Sequence, residues 1–401
     1  MSDLKLPVYM DHLATTPVDR RVLDAMLPYF CDAFGNASSA THSFGNEAAI
    51  AVAHARRQVA LLLGAREREI VFTSGATEAN NLAIKGVAAF YGRGHLITAK
   101  TEHKAVLDVC KYLQGNGFEV TYLDVDREGR IDTGALDQAI RDDTILVSLM
   151  AANNEVGTIH PLAQIGALCK ARNVLWHCDG AQAAGKIALD VEEMGIDLLS
   201  LSAHKFYGPK GVGALYVRSR SPRVRLCEQL VGGNQERGLR AGTLNVPGIV
   251  GLGMACELAA ERGAEEAQRL LTLRARLLEG IKRAAPDCQL NGPNSDRLPG
   301  HLSLSFAGVD GAELLAELRE VALSSGAACS SDAPVPSHVL AAMGRDDSAA
   351  RSTLRFGLGR FTTEREVDFV AERVVEAVGQ LRVRSGYFAK NVVSKNEKVA
   401  F

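Results

Sequence analysis

Short apolar runs alternate with stretches of helical periodicity over about residues 69–218, and this alternation is the main pattern of the chain. Apolar runs of this length, bounded by turn residues, indicate strands. The clearest candidates are Ile70–Phe72, Leu96–Thr98, Val120–Leu123, Ile145–Leu149 and Gly213–Val217. Strands that alternate with helices are typical of a largely parallel sheet with crossover helices, so the sequence predicts an α/β fold.

Helical periodicity is also clear outside this region. Residues Glu47–Leu63 carry apolar side chains at a helical spacing, and Gly64 follows as a helix-ending residue. A second helical pattern, rich in charge, runs from about residue 248 to 284 and predicts a passage into a second, smaller domain. The strand-like segments His301–Phe306 and Leu354–Phe356 flank the helices of that domain.

Composition narrows the class of protein without identifying it. The 401 residues carry a formal net charge of −2 and no basic tract, so direct nucleic-acid binding is not predicted. No apolar run approaches the roughly 20 residues of a membrane helix, and the N-terminus lacks the apolar core of a signal peptide. The eight cysteines show no CxxC pair and no zinc-like spacing. We therefore expect no metal site and a reducing, cytoplasmic compartment.

A lysine and an aspartate each follow a strand-like run. Lys205 comes shortly after Asp197–Ser202, where a buried ammonium is costly unless it is paired or neutralised. An imine with an aldehyde cofactor would remove the charge, although a surface lysine at a strand end is the simpler interpretation. Asp179 could keep the pyridine nitrogen of pyridoxal phosphate protonated, and Gln182 could donate a hydrogen bond to the ring's phenolic oxygen. An aspartate here can equally be a turn former or a helix cap.

Polar residues mark two further strand ends. The segment Thr73–Glu78 follows a strand and precedes a helix, so Ala76, Thr77 and the free amides of the first helical turn could bind a phosphate. An ordinary helix cap is the alternative. His103, again between a strand and a helix, could stack on a cofactor ring or move a proton, or it is a loop histidine. Because α/β sheets bind ligands at the carboxyl ends of their strands, we expect these sites to share one pocket.

Ten motifs occur in order between residues 7 and 385. They are Tyr9–Pro17, Phe34-Gly-Asn36, Phe72–Glu78, Thr101–Val106, Asn153-Asn-Glu155, Asp179-x-x-Gln182, Ser202-x-His-Lys205, Glu236–Thr243, Ser324–Cys329 and Arg355–Arg360. Together they resemble the fold-type I pyridoxal-phosphate enzymes and, within that group, the cysteine desulfurases of the IscS/NifS type. The resemblance implies a large domain with a mostly parallel sheet flanked by helices, and a smaller α+β domain.

The resemblance also implies a role for most candidate site residues. Lys205 would hold the cofactor as an imine and then act as the base at the substrate Cα. His103 would stack on the ring and shuttle protons. Asp179 and Gln182 would tune the ring, and Asn154 would lie near its oxygen or the substrate carboxylate. The phosphate contacts would come from Ala76, Thr77, Ser202, His204 and, across a homodimer interface, Thr243.

Two more residues define the implied reaction. Arg355 would clamp the substrate carboxylate through two parallel hydrogen bonds. Cys329 lies in a small, polar, proline-interrupted segment that predicts a mobile loop, and its thiolate would attack the sulfur of L-cysteine. The products would be L-alanine and a persulfide on Cys329. The persulfide would then serve a sulfur acceptor, such as an iron–sulfur scaffold or a tRNA-thiolation protein.

The expected domain boundaries follow from the pattern and the resemblance together. Residues 16–261 would form the large cofactor-binding domain, and residues 1–15 and 262–384 the small domain that carries the cysteine segment. The polar, unpatterned residues 385–401 predict a flexible tail.

Two other classes of protein are open at this stage. Another fold-type I enzyme, such as an aminotransferase or a selenocysteine lyase, would share the cofactor residues. An aminotransferase, however, has no use for Cys329 and yields a keto acid in place of alanine. A non-catalytic sulfur carrier or scaffold subunit should have lost Lys205 or Cys329, and both are present.

Overall fold

The computed structural model describes residues 4–325 and 337–387. Its strands are β1 (Val8–Tyr9), β2 (Ile70–Thr73), β3 (His95–Ala99), β4 (Glu119–Leu123), β5 (Thr144–Met150), β6 (Leu175–Asp179), β7 (Leu198–Ser202), β8 (Gly213–Val217), β9 (Gln289–Leu290), β10 (His301–Ser305), β11 (Val321–Ala322), β12 (Ser324–Ser325) and β13 (Thr353–Gly357). Its α-helices are α1 (Arg20–Met26), α2 (Pro28–Cys31), α3 (Ser43–Leu63), α4 (Ala76–Tyr91), α5 (Lys104–Gly115), α6 (Thr133–Ala139), α7 (Leu162–Ala171), α8 (Val246–Ala284), α9 (Gly311–Glu317), α10 (His338–Ala342), α11 (Asp347–Arg351) and α12 (Glu364–Arg384).

The large sheet has seven strands in the order β2-β8-β7-β6-β5-β3-β4. Strands β7, β6, β5, β3 and β4 pair in parallel, and β8 runs antiparallel to both β7 and β2. The reversal of β8 has a local cause. Only residues 203–212 connect it to β7, and they contain no α-helix that could carry the chain back for a parallel pairing. The prediction of an α/β fold with a largely parallel sheet is confirmed.

Helices cover both faces of this sheet, so all of its strands except the edge strand β4 are almost entirely buried. All residues of β3, β6, β7 and β8 are buried, as expected for a parallel sheet between two helical layers. One core packs α3 and the first half of α8 against one face, and a second core packs α4 and α5 against the other. Within the described residues, no helix is long and apolar enough to cross a membrane.

Helix α3 begins four residues earlier than its apolar spacing predicts. The cause is a cap outside the periodic stretch, because the ring nitrogen Nδ1 of His42 accepts a hydrogen bond from the amide of Gly45 at 3.2 Å. The cap satisfies one of the amides that a helix start leaves without an intrahelical partner. The helix ends at Gly64, as the sequence predicts.

A third apolar core lies beside a smaller antiparallel sheet, of order β12-β13-β10-β9. The predicted strands near residues 301–306 and 354–356 correspond to β10 and β13, which pair over five residues. Helix α8 is a single helix of 39 residues. Its N-terminal half packs in the first core, and its C-terminal half packs in the third core, beside the smaller sheet. Strand β1 pairs in parallel with β11 in a separate two-stranded sheet. The residues after β1 contact the smaller sheet, because the amide of Gly357 in β13 donates to the carbonyl oxygen of Met10 at 2.7 Å.

A line of polar side chains crosses the middle of the large sheet. The ring of His177 contacts Ser148 Oγ through Nδ1 at 2.8 Å and Ser200 Oγ through Nε2 at 2.9 Å. The ring is fully buried, and burial lowers the pKa of His177 to about 4. His177 is therefore a neutral hydrogen-bonding link between three neighbouring strands.

Acid is expected to destabilise the protein partly through His177. In the unfolded chain the ring of His177 is protonated with a pKa near 6.5, whereas in the folded chain its pKa is about 4. The stabilisation is therefore complete above pH 6.5 and falls by about 2 kcal/mol between pH 7 and pH 5. His177→Gln should shift the urea midpoint less between these two pH values than the wild type does. His54→Gln, at an exposed histidine, is the control and should behave as the wild type. An equal pH dependence in His177→Gln would contradict this assignment.

Candidate active site

One cavity of about 510 Å³ opens at the carboxyl ends of β2, β3, β5, β6 and β7. Ten of the predicted site residues line it, namely Ala76, Thr77, His103, Asn154, Asp179, Gln182, Ser202, His204, Lys205 and Arg355. Two predicted residues are not placed there. Thr243 is exposed and does not line the cavity, and Cys329 lies outside the described residues. The expectation that the four strand-end sites share one pocket is therefore met, since Ala76, Thr77, His103, Asp179, Gln182 and Lys205 all line it.

Lys205 lies on a single 3₁₀ turn, Ala203–Lys205, directly after β7. Its Nζ donates to the carbonyl oxygens of Leu13 at 3.1 Å and Ala14 at 2.8 Å. Burial lowers the pKa of Lys205 to about 8, and the positive charge of Arg355 acts in the same direction. At pH 7 roughly a tenth of such amines are uncharged, several hundred times more than for a free lysine. The turn therefore presents a nucleophilic amine to the cavity.

Asp179 ends β6, and its buried carboxylate is held from two sides. Its Oδ2 accepts from Asn80 Nδ2 at 2.8 Å, and its Oδ1 accepts from the amide of Ala181 at 3.0 Å. These two bonds fix the plane of the carboxylate at the floor of the cavity. A fixed anion there can hold a protonated ring nitrogen.

The start of helix α4 forms a cradle for an anion. Gly75 precedes the helix with φ 154° and ψ −178°, a conformation that is nearly exclusive to glycine. Strand β8 passes close by, since a Cβ at Gly213 would lie 2.7 Å from the Cα of Gly75. Both glycines therefore let the backbone approach closely at this point. The first-turn amides of α4 and the hydroxyl of Ser202 face the same end of the cavity, where a phosphate would bind.

His204 completes this end of the cavity. Its Nδ1 is 3.1 Å from Thr15 Oγ1. Desolvation lowers the pKa of His204 to about 4, and the charges of Lys205 and Lys210 reinforce the shift. The ring is neutral at physiological pH, and its surroundings carry the positive charge that attracts a phosphate.

His103 caps helix α5 at the cavity mouth. Its Nδ1 accepts from the amide of Ala105 at 3.1 Å, so the neutral ring carries its proton on Nε2. Desolvation lowers the pKa of His103, and the charges of Lys205 and His338 also act to lower it. The charge of Asp179 opposes this shift, and the net lowering of the pKa favours the neutral ring. The cap on α5 is compatible with a functional role of the ring, because His103 also lines the cavity.

Gln182 is buried, and its amide contacts two groups. Its Nε2 donates to the carbonyl oxygen of Leu13 at 2.9 Å, and its Oε1 accepts from Lys186 Nζ at 2.8 Å. Leu13 O is thus shared between Gln182 and Lys205. The second N–H of the amide is free to bond a group inside the cavity.

Arg355 reaches the cavity from β13 of the smaller sheet. Its Nη2 forms an ion pair with Asp11 Oδ1 at 3.0 Å, and its Nη1 donates to the carbonyl oxygen of Asn154 at 3.1 Å. Its buried Nε has no hydrogen-bond partner in the part of the chain that the structure describes. Asp11 also accepts from Ser324 Oγ at 2.8 Å. The guanidinium is therefore held in place and keeps N–H groups for a carboxylate.

The sequence interpretation assigned no role to three residues that hold the site together: Asn80, Asp11 and Lys186. Asn80 has a usable signal, because it lies one helical turn after Ala76, where a side chain can face the neighbouring strands. Asp11 lies within the Tyr9–Pro17 motif, but nothing in that motif indicates an arginine 344 residues away. Lys186 has no signal beyond its spacing of four residues from Gln182.

Most of the described cysteines are unsuited to thiolate chemistry. Five are buried, namely Cys110, Cys169, Cys178, Cys256 and Cys288. Burial raises the pKa of Cys110 and Cys169 to about 12 and that of the other three as well. Cys178, although it adjoins Asp179, is therefore a core residue. Cys31 is exposed and Cys227 is partly buried, and neither lines the cavity.

The donor set fits pyridoxal phosphate. An amine of lowered pKa, a fixed carboxylate and a helix start opened by two glycines match the aldehyde, the pyridine nitrogen and the phosphate, respectively. The cavity volume is in the range of small-molecule sites, about 300–1,000 Å³. Within the described residues, no cluster of side chains suits a metal ion.

Comparison with known proteins defines the class first. Residues 8–370 match the family model of the class-V aminotransferases. A cysteine desulfurase IscS from Anaeromyxobacter sp. strain Fw109-5 is 58% identical over 384 residues, which are 95% of each chain. A solved NifS-like protein superposes with a TM-score of 0.87 at 40% identity, over 93% of this chain and 99% of its own. A structure of SspA in complex with cysteine superposes with a TM-score of 0.78 at 38% identity, over 89% of this chain and 100% of its own.

The chain therefore belongs to the cysteine desulfurases of the IscS type, within the class-V aminotransferase family. Its fold is that of the fold-type I enzymes, and its cofactor is pyridoxal phosphate, as the sequence predicts. Membership of the family leaves the roles of individual residues to be argued from the geometry of this chain.

Proposed function

We propose that this protein converts L-cysteine to L-alanine and receives the sulfur as a persulfide on Cys329. The observation that carries the proposal is the placement of Lys205. An amine of lowered pKa lies in one cavity with the Asp179 carboxylate, the α4 cradle and the Arg355 guanidinium. This set provides separate groups for the aldehyde, ring nitrogen and phosphate of the cofactor and for the carboxylate of an amino acid.

Bound pyridoxal phosphate supplies an electron sink for negative charge at the substrate Cα. Asp179 holds the ring nitrogen protonated, Gln182 donates to the phenolic oxygen, and Asn154 lies beside the ring oxygen or the substrate carboxylate. Lys205 would hold the aldehyde of the cofactor through its amine, and as a free amine it would take the proton from the substrate Cα. The phosphate is bound by Ala76, Thr77, Ser202 and His204, with Thr243 from the neighbouring subunit.

Sulfur leaves the substrate through attack by the Cys329 thiolate. The thiolate forms an S–S bond to the substrate sulfur, and the Cβ–S bond breaks with its electron pair returning to carbon. Protons returned to the carbon skeleton complete alanine, and His103 is placed at the cavity mouth to deliver one of them. No external oxidant is needed, because one thiol and cysteine yield one persulfide and alanine.

Arg355→Lys is expected to weaken cysteine binding by roughly 1.5–3 kcal/mol, or about ten- to hundredfold, the range for hydrogen bonds to charged groups. A lysine ammonium cannot reproduce the planar fork of a guanidinium on a carboxylate. Cofactor content should stay near the wild-type value, since the phosphate contacts lie at the other end of the cavity. The KM for cysteine and the thermal midpoint are the measurements.

Arg360→Lys is a matched control for this variant. Arg360 forms ion pairs with Asp19 and Glu266 and does not line the cavity. The control should lose thermal stability and keep its affinity for cysteine. The opposite pattern, with Arg355→Lys less stable and its cysteine affinity unchanged, would reduce Arg355 to a structural partner of Asp11.

We include a homodimer in the proposal. Large apolar side chains on and between α2 and α3 are exposed in the single chain, among them Phe30, Phe34, Phe44 and Ile50. The rings of Phe34 and Phe44 contact each other at a centroid distance of 5.4 Å. A surface of this kind is typical of a subunit interface. In such a dimer the exposed Thr243 would contact the phosphate in the cavity of the neighbouring subunit.

The persulfide is passed to a sulfur-accepting protein, either an iron–sulfur scaffold or another sulfur carrier. The free cysteines of the described chain suit a reducing compartment such as the cytoplasm.

The function is tested by mixing purified protein with L-cysteine and a thiol reductant. Alanine and sulfide should appear in equal amounts, because each turnover transfers one sulfur. Formation of a keto acid without sulfide would indicate an aminotransferase, and the absence of any product would indicate a non-catalytic subunit. L-serine, which has no sulfur for Cys329 to attack, is the control substrate and should yield no alanine.

A further inference from the structure

Lys186 does not line the cavity, and within the described residues Gln182 is the one predicted site residue to which its side chain is hydrogen-bonded. Its Nζ donates to Gln182 Oε1 at 2.8 Å. Burial lowers the pKa of Lys186 to about 7, and the charges of Lys205 and Arg355 act in the same direction. Desolvation of a lysine ammonium costs free energy. The hydrogen bond from Lys186 to a cavity residue therefore calls for a functional explanation.

The amide of Gln182 has two orientations that are sterically almost identical, because its oxygen and nitrogen have nearly the same size. In the observed orientation, Oε1 faces the Lys186 amine and Nε2 faces the carbonyl oxygen of Leu13. In the other orientation, Nε2 would face the Lys186 ammonium, donor against donor, and Oε1 would face the carbonyl oxygen of Leu13, acceptor against acceptor. Lys186 therefore contributes to the choice between an amide that offers an N–H to the cavity and one that offers an oxygen.

The contact between Leu13 and Gln182 does not make Lys186 redundant. Leu13 O also accepts from Lys205 Nζ at 3.1 Å, so this carbonyl oxygen serves two donors, one of which moves when Lys205 engages the cofactor or the substrate. The bond from Lys186 to Gln182 involves neither Leu13 nor Lys205. This contact on Gln182 is therefore independent of the position of Lys205.

We propose that Lys186 is a positioning residue, which fixes the amide of Gln182 with an N–H toward the phenolic oxygen of pyridoxal phosphate. The inference rests on the proposed role of Gln182 toward the cofactor and deepens it. Lys186 itself touches neither the cofactor nor the substrate. Its effect on the ring passes through one amide.

A double-mutant cycle tests this directly. The dissociation constant of pyridoxal phosphate is measured by absorbance for the wild type, Lys186→Met, Gln182→Leu and the double variant. Lys186→Met should weaken binding about tenfold in the wild-type background, as expected for the loss of a charged hydrogen bond, and less than about twofold in the Gln182→Leu background. Lys186→Arg, which keeps a donor and a charge, should restore binding to near the wild-type value.

The visible absorbance of bound cofactor is the second readout. Its maximum should shift in Lys186→Met as it does in Gln182→Leu, and no further in the double variant. Equal losses in both backgrounds, or an unchanged dissociation constant in Lys186→Met, would overturn the inference. Should Lys186→Met not fold, Lys186→Leu, which has no donor, takes its place in the cycle. A wild type that binds no pyridoxal phosphate would refute the proposed function instead.

Discussion

Lys205→Ala should yield a folded protein without the visible absorbance of bound cofactor and without desulfurase activity. The alanine side chain cannot form a covalent bond to the cofactor aldehyde, and it also removes the base at the substrate Cα. Loss of a positioned base alone typically costs 10²- to 10⁴-fold in rate, and loss of the attachment adds to it. Absorbance after incubation with pyridoxal phosphate and alanine release from cysteine measure the two effects separately.

Lys100→Ala is the matched control for this variant. Lys100 is an exposed lysine that pairs with Asp124 and does not line the cavity. It should bind cofactor and turn over as the wild type does. Full visible absorbance in Lys205→Ala would mean that another amine holds the cofactor, and Lys186 and Lys210 would be the first to examine.

Cys329→Ser should separate the two nucleophilic steps. The variant keeps Lys205, Asp179 and Arg355, so the absorbance of its cofactor should still change when L-cysteine is added. A hydroxyl cannot replace a thiolate in attack on sulfur. Sulfide release should therefore fall to background, and mass spectrometry should detect no persulfide on the protein.

Cys31→Ser provides the control, since Cys31 is the exposed cysteine of the described residues. It should release sulfide at the wild-type rate. A persulfide found on Cys178 or Cys110 of the wild type would contradict the role given to Cys329. The burial of those two thiols, which raises their pKa, argues against that outcome.

The elements that the sequence predicts best are those with a strong local signal. Strands β2, β5 and β8 are short, mainly apolar runs, and each lies within a residue or two of its predicted bounds. The strand-end residues were predictable for the same reason, because the carboxyl ends of parallel strands share an edge. Once Lys205 and Asp179 are assigned to strand ends, their meeting in one cavity follows from topology.

Features that depend on distant partners were not predictable. The ion pair between Asp11 and Arg355 joins residues 344 positions apart, and no periodicity encodes such a contact. The contact of Lys205 with Leu13 and Ala14 has the same character. The early start of α3 depends on a local contact instead, because its histidine cap lies outside the apolar spacing that predicts the helix.

The position of the N-terminal segment has a consequence for synthesis on the ribosome. Strand β1 pairs with β11, and residues just after it accept hydrogen bonds from Lys205 and contact Arg355 through Asp11. Residues 8–14 thus wait for partners made roughly 300 residues later, or about 15–60 s at ordinary elongation rates. Until β11 and β13 emerge, one wall of the cavity has no partner to hold it. We therefore expect cofactor loading only after β11 and β13 have been made, and a nascent chain stalled before residue 321 should not retain pyridoxal phosphate.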